Sequence, residues 1–308
     1  MTWSIEGSTP GPTAGRQHGR SEGPSDGAKV AEPDAEPVAR RAPDAEPVAR
    51  RASGAAESRR ASRQWWDASA DQYQHDHGDF LGPDRWIWGP EGLDEEKAQL
   101  FGKLNDQRLL EVGCGAAAGS RWARSQGAEV VGLDLSLRQL QHSRRLDEQT
   151  SVFVPAVVAD AAVLPFPDHS FDVAGSSYGA LPFVTDAAMV MTEVARVLRP
   201  GGRWVFSVTH PIRWAFADDP GEGGLTVNRS YFDRRAYVEQ SNEGVATYVE
   251  HHRTAGDWVR LVVDAGFTLQ ELREPPWPPD LLQVWGGWSP LRGQLIPGTL
   301  ILVCTLPR

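Results

Sequence analysis

From residue 108 onward, short apolar runs alternate with amphipathic stretches. Residues 108–112, 129–133, 152–159, 171–176, 203–209, 267–272 and 299–305 are brief, rich in Val, Leu, Ile and Phe, and read as strands. Between them, 120–126, 136–147, 186–198 and 254–265 place apolar residues on one helical face, with Trp122 and Ala123 inward in the first and Ser136 an N-cap for the second. The helix over 186–198 must stop at Arg199-Pro-Gly-Gly202, where proline and glycine forbid its continuation. Apolar strands alternating with amphipathic helices predict an α/β fold, a seven-stranded and mostly parallel sheet with helices on both faces.

Three stretches break this rhythm. Residues 1–64 are rich in Gly, Pro, Ala, Ser, Glu and Arg and almost devoid of large apolar side chains, so they are expected to be a disordered tail ahead of a domain over 65–308. Within the tail the ten residues from Pro33 to Ala42 recur unchanged from Pro43 to Ala52, two copies being too few for a repeat fold. Order is expected to start with a short aromatic helix over 64–73, which carries Trp65, Trp66 and Tyr73. Residues 210–253 and 273–297, after the fifth and sixth strands, are long, turn-rich insertions expected to cover a substrate. The second holds Trp277, Trp285 and Trp288, which serve either an apolar ligand or the loop itself.

Charge narrows the partners. The chain carries −10 overall, about +1 in residues 1–64 and about −11 in the remainder. A folded part this acidic lacks the clustered cations that nucleic acid or an anionic membrane requires. Only Cys114 and Cys304 are present, no apolar run is long enough to span a bilayer, and no secretory signal is evident. A reducing cytoplasm is the expected compartment.

The chemistry concentrates where the first strand ends. Leu109-Leu-Glu-Val-Gly-Cys-Gly-Ala-Ala-Ala-Gly119 is an apolar run, an acid and a glycine-rich turn, and Val130-Val-Gly-Leu-Asp134 brings a second strand-end carboxylate. Strand, glycine turn, helix and strand in this order make a nucleotide-sized pocket with a carboxylate for a ribose. The third glycine stands one residue late for a dinucleotide turn, a weak discriminator on its own.

Four motifs in order carry more: Glu111-Val-Gly-Cys-Gly115; Gly132-Leu-Asp-Leu-Ser136; Ala159-Asp-Ala161 with Leu164-Pro-Phe-Pro-Asp168 and Ser170-Phe-Asp172; and Glu193-Val-Ala-Arg-Val-Leu-Arg-Pro-Gly-Gly202. Over residues 105–210, and more loosely to Leu272, the chain resembles the class I S-adenosylmethionine-dependent methyltransferases, in particular the small-molecule branch related to the ubiquinone and menaquinone enzymes. The resemblance implies a Rossmann-like fold, S-adenosylmethionine as cofactor and a small-molecule acceptor. It also implies cofactor-binding roles. Gly113, Cys114 and Gly115 would line the methionine part, and Glu111 would face the amino-acid moiety. Asp134 would hold the ribose hydroxyls and Leu135 would pack on the adenine. Asp160 and Ala161 would meet the adenine edge, and Ser176 would sit near the methyl group. Trp65, Trp66 and Tyr73 would form a flap over the cofactor, set against simple packing on the domain edge.

Methyl transfer needs a base only if the acceptor must lose a proton. His210, at the end of the fifth strand, is the leading catalytic candidate, set against a purely loop-ordering role. Tyr178, just past the fourth strand, is the second, set against a core role. No metal is expected: His75 and His77 flank Asp76, His251 and His252 are adjacent, and neither pair is extended by further ligands. Two other functions stay open on the same sheet. One is a nicotinamide-dependent oxidoreductase, which would want tighter glycine spacing and a proton-transfer pair. The other is a non-catalytic S-adenosylmethionine-binding protein.

Overall fold

A computed structural model describes residues 46–308 of the chain. Ten strands and five helices longer than one turn carry its architecture. In chain order they are β1 (Glu46–Arg51), α1 (Ala55–Leu81), β2 (Arg108–Val112), α2 (Ala118–Ser125), β3 (Glu129–Asp134), α3 (Leu137–Thr150), β4 (Ala156–Val158) and β5 (Phe171–Ser177). There follow α4 (Ala187–Val197), β6 (Leu198–Thr209), β7 (Ala236–Gln240), β8 (Ala246–Glu250), α5 (Ala255–Asp264), β9 (Thr268–Arg273) and β10 (Thr299–Thr305).

Seven strands form one sheet in the order β4-β3-β2-β5-β6-β10-β9. Pairings among β4, β3, β2, β5 and β6 are parallel, and β10 runs antiparallel to both its neighbours. Apolar clusters bury both faces, as a mostly parallel sheet demands. One face carries Trp204, Phe206, Leu110 and Val112 against α4 and α5. The other carries Val205, Leu109, Ile301 and Val303 against Trp86, Trp88 and Phe101. Helix α4 ends at Val197, before Arg199-Pro-Gly-Gly202, and passes straight into β6, which takes in those four residues, with Gly201 at φ +84°. The third strand is shorter than expected, three residues at Ala156–Val158.

Two expectations are corrected. Order begins before residue 64: β1 and the first ten residues of α1 lie inside the stretch read as a tail. The second repeat copy supplies β1, whose partner β7 lies far along the chain. Residues 1–45, with the first repeat copy, lie outside the described residues. The aromatic helix is also far longer than 64–73. Its buried positions are Ser58, Ala61, Ser62, Ala70 and His77, so it has no apolar stripe for a sequence pattern to detect.

The insertion over 210–253 is likewise not irregular throughout. β7 and β8 form an antiparallel hairpin, and with β1 they make a three-stranded sheet in the order β1-β7-β8. Its small core joins Ala236, Val238, Ala246 and Val249 to Ala61 of α1. The second insertion holds one helical turn at Pro290–Gly293 and a bridge between Trp285 and Trp288. Helix α1 therefore lies between this small sheet and the carboxyl ends of the main strands.

Candidate active site

The carboxyl ends of β2, β3, β4 and β5, closed over by α1, enclose a cavity of about 460 Å³. Its floor is the turn after β2. Gly113 takes φ +71°, and a Cβ there would fall 2.6 Å from the Ala180 nitrogen and 2.8 Å from Gly179 Cα. The loop after β5 thus crosses the turn so closely that only glycine fits.

Glu111 is 6% exposed, and one of its oxygens (Oε2) accepts both the Ser120 backbone N–H at 2.8 Å and the Ser120 hydroxyl at 2.6 Å. Burial pushes its carboxyl up to about 7, opposed by the Ser120 bonds and by Arg121. Asp134 accepts the Gly115 N–H and the Ser136 N–H, each at 2.8 Å, and so ties the turn to the start of α3. Burial raises its pKa as well, against those backbone bonds. Asp160 accepts the Ala162 N–H at 2.9 Å and the Arg59 guanidinium at 3.2 Å. Leu135 and Ala161 line the same cavity.

The remaining site candidates are placed as follows. Cys114 lines the cavity, buried, with its thiol pushed well above its ordinary value by desolvation, which leaves it inert as a nucleophile. Ser176 is fully buried and its hydroxyl turns to Gly179 O at 3.4 Å; the next residue, Ser177, is the one that lines the cavity. Neighbouring side chains on a strand face opposite ways.

Tyr178 lines the cavity, but its hydroxyl donates to Gly298 O at 3.0 Å and pairs with Thr299 Oγ1 at 2.7 Å. His210 does not line it. Its Nδ1 accepts the Ile212 N–H at 3.1 Å, capping the turn Pro211–Ala215, and its Nε2 meets Glu274 at 2.8 Å. Burial lowers its pKa, with Glu274 opposing. Among the described residues no group of three or more His, Cys, Asp or Glu is placed to hold a metal ion. No helix among them is long and apolar enough to cross a membrane.

Of the aromatic residues singled out in the sequence, Trp66 and Tyr73 of α1 line the cavity from above and Trp65 does not; Ser58, Arg59, Ser62 and Gln74 of the same helix, which sequence reading missed, line it with them. The helix is held down by polar ties to α3: Asp67 accepts from Ser136 Oγ (2.6 Å) and Arg138 N (3.1 Å), and Asp71 pairs with Arg138 at 2.6 Å. Trp66 stands edge-on to Tyr73 at 5.4 Å and to Phe183 at 5.6 Å. Trp65 instead packs on Tyr248. The tryptophans of 273–297 do not line the cavity: Trp285 stacks on His77 at 4.0 Å, and Trp277 bonds Leu281 O within its own loop. They fasten the insertion to α1 and to itself.

Residues 110–206 match the family described as a methyltransferase domain. Over that segment the chain is similar to this family. The segment contains the glycine turn and all three strand-end carboxylates. The chain is similar to a demethylmenaquinone methyltransferase of Mycobacterium sp. (strain KMS), 39% identical over 138 residues that cover 44% of this chain and 54% of that protein. A malonyl-[acyl-carrier protein] O-methyltransferase of Pseudescherichia vulneris is 37% identical over 111 residues, 35% of this chain and 42% of its own length. The chain thus spans about half the length of these curated relatives. Among solved structures, an S-adenosylmethionine dependent methyltransferase from Mesorhizobium loti superposes with a TM-score of 0.53 at 27% identity, over 70% of this chain and all of that one. In this chain the cover of α1 and β1-β7-β8 is built from outside residues 110–206.

Proposed function

We propose that this protein transfers a methyl group from S-adenosylmethionine to a small-molecule acceptor. The observation that carries the reading is the convergence of Glu111, Asp134 and Asp160 on one cavity floored by Gly113 and Gly115. The residues fit the cofactor. A glycine at 113 leaves backbone-only walls for the methionine part, and Glu111 has its Oε1 free of hydrogen bonds for an ammonium. Asp134 is fixed by two backbone N–H groups, with lone pairs to spare for a vicinal diol. Asp160 and Ala161 stand where an adenine edge would lie. When bound, the cofactor supplies a methyl carbon already activated on a sulfonium.

What the protein adds is proximity and alignment. The carboxylates set the position of the donor, the loop after β5 closes one wall, and α1 covers another. The unpaired, buried Cys114 and Cys304 and the acidic charge of the folded part support a reducing, cytoplasmic setting and a small organic acceptor.

Binding tests this reading. S-Adenosylhomocysteine at a hundredfold excess over its Kd stabilises the folded state by about 2.7 kcal/mol and raises Tm accordingly. Asp134→Ala removes both loop ties and the diol partner and is expected to abolish that shift. A larger shift with NADH than with S-adenosylhomocysteine would overturn the assignment.

A further inference from the structure

A second polar cluster meets the cavity, from its cover. Thr185 donates to Ser58 Oγ at 2.9 Å, and both hydroxyls face His251 Nε2, Ser58 at 3.0 Å and Thr185 at 3.3 Å. Ser58 and Thr185 line the cavity, with His251 behind them. The three come from separate elements: the first turn of α1, the loop after β5 and the end of β8. Behind Ser58 the chain of bonds continues through Ser53 at 3.0 Å to Glu57 at 2.9 Å, and Arg51 clamps Glu57 at 2.7 and 2.9 Å. One helical turn further along α1, Ser62 also lines the cavity, 4% exposed and with its hydroxyl unpartnered. The next turn brings Trp66, and with it the edge-on group of Trp66, Tyr73 and Phe183.

The cations of the cavity wall are already engaged. Arg59 is paired with Asp160 and Arg85 with Asp94 at 2.9 Å. An acceptor bearing a phosphate or carboxylate would find four carboxylates, Glu111, Asp134, Asp160 and Asp186, and no free guanidinium there. A flat ring fits the aromatic walls, and a hydroxyl fits the Ser58–Thr185 pair. Burial and the neighbouring Arg253 push the His251 pKa down to about 4, so at neutral pH its imidazole is an uncharged, weak base, sufficient for the strongly acidic proton that an alcohol oxygen sheds as it is methylated.

We propose that the acceptor is a neutral aromatic alcohol whose ring lies among Trp66, Tyr73 and Phe183. Its hydroxyl sits on Ser58 and Thr185, and its proton passes through them to His251. This rests on the methyl-transfer reading above. The acceptor oxygen uses a lone pair to form the O–CH3 bond, and the C–S bond breaks with its electrons going to sulfur. The acceptor's O–H proton moves onto the hydroxyl pair as that pair gives one to Nε2, and the imidazolium then releases it to water. The Glu57 carboxylate, at the far end of the Ser53 bond, offsets the transient positive charge beside Arg253.

The test is calorimetric titration of the full chain, saturated with S-adenosylhomocysteine, with 4-phenylphenol, 4-methoxybiphenyl and biphenyl-4-carboxylate. The phenol is expected to bind about tenfold or more tightly than either analogue, one hydrogen-bonded group being at stake. Thr185→Val, which keeps the side chain's shape and removes its hydroxyl, and Ser58→Ala should each erase that preference without weakening S-adenosylhomocysteine, with thermal melts of each variant reporting the fold. In the phenol complex the ¹⁵N resonance of His251 Nε2 should move, a response that a merely structural histidine would not give. Equal binding of phenol and ether, tightest binding of the carboxylate, or an unmoved His251 resonance would overturn the proposal. Failure of S-adenosylhomocysteine itself to bind would instead sink the methyl-transfer reading, and this proposal with it.

Discussion

Glu111→Gln is expected to make the protein more stable and a worse binder at once. In the unfolded chain the Glu111 carboxyl titrates near 4.5, and in the folded one near 7, chiefly because it is buried. A folded-state value raised for an acid means that the native protein holds the proton more tightly. The stabilisation is complete below pH 4.5 and is lost as pH rises through 7. At about 1.4 kcal/mol per unit, the span from 4.5 to about 7 amounts to about 3 kcal/mol. Glutamine keeps an oxygen for both Ser120 bonds and never ionises. The variant should therefore match the parent near pH 4.5 and exceed it by up to about 3 kcal/mol at pH 8, or roughly 6–12 °C in Tm.

Binding should move the other way. Losing a charge-assisted partner for an ammonium costs about 1.5–3 kcal/mol, a fall in S-adenosylhomocysteine affinity of roughly 10- to 150-fold. Guanidinium melts at several pH values and calorimetry at pH 8 read both effects. A stability gap that does not grow with pH would refute the burial argument, and an unchanged affinity would refute the ligand role.

Two further substitutions probe the surroundings. His210→Ala strips the Ile212 N–H of its acceptor and Glu274 of its partner; it should cost about 1–2 kcal/mol in denaturant melts and leave binding of S-adenosylhomocysteine and 4-phenylphenol unchanged, whereas lost ligand binding at full stability would restore His210 to the site. Gly119→Ala places a Cβ 2.6 Å from both Glu111 Oε1 and Trp86, so it should destabilise by about 1–3 kcal/mol and weaken S-adenosylhomocysteine, a result that thermal melts with and without ligand would show or deny.

The parts of this molecule that sequence made legible are local ones. The strand-helix rhythm, the glycine turn, and Asp134 and Asp160 at strand ends follow from short-range pattern. The late third glycine has a local reason too: Gly119 sits under Trp86 and beside Glu111, so its spacing answers to side-chain packing. What escaped notice depends on distance along the chain. Helix α1 buries serines and alanines, which carry no periodic signal, and β1 exists because β7 pairs with it from the other side of the domain. Ser177 rather than Ser176 lines the cavity because one step along a strand reverses the face. Ser58, Thr185 and His251 meet only once the cover has formed.

That cover has a further consequence. Its own apolar core is five small side chains, Ala61, Ala236, Val238, Ala246 and Val249, separate from the two large clusters of the main sheet. A unit so lightly cemented opens at a lower free energy than the strands beneath it. Amide hydrogens of β7, β8 and the first turns of α1 should then exchange together, well before those of β2, β5 and β6, and bound ligand should slow that set selectively. On this view the cover loosens as one cooperative unit while the glycine turn and its carboxylates stay fully assembled.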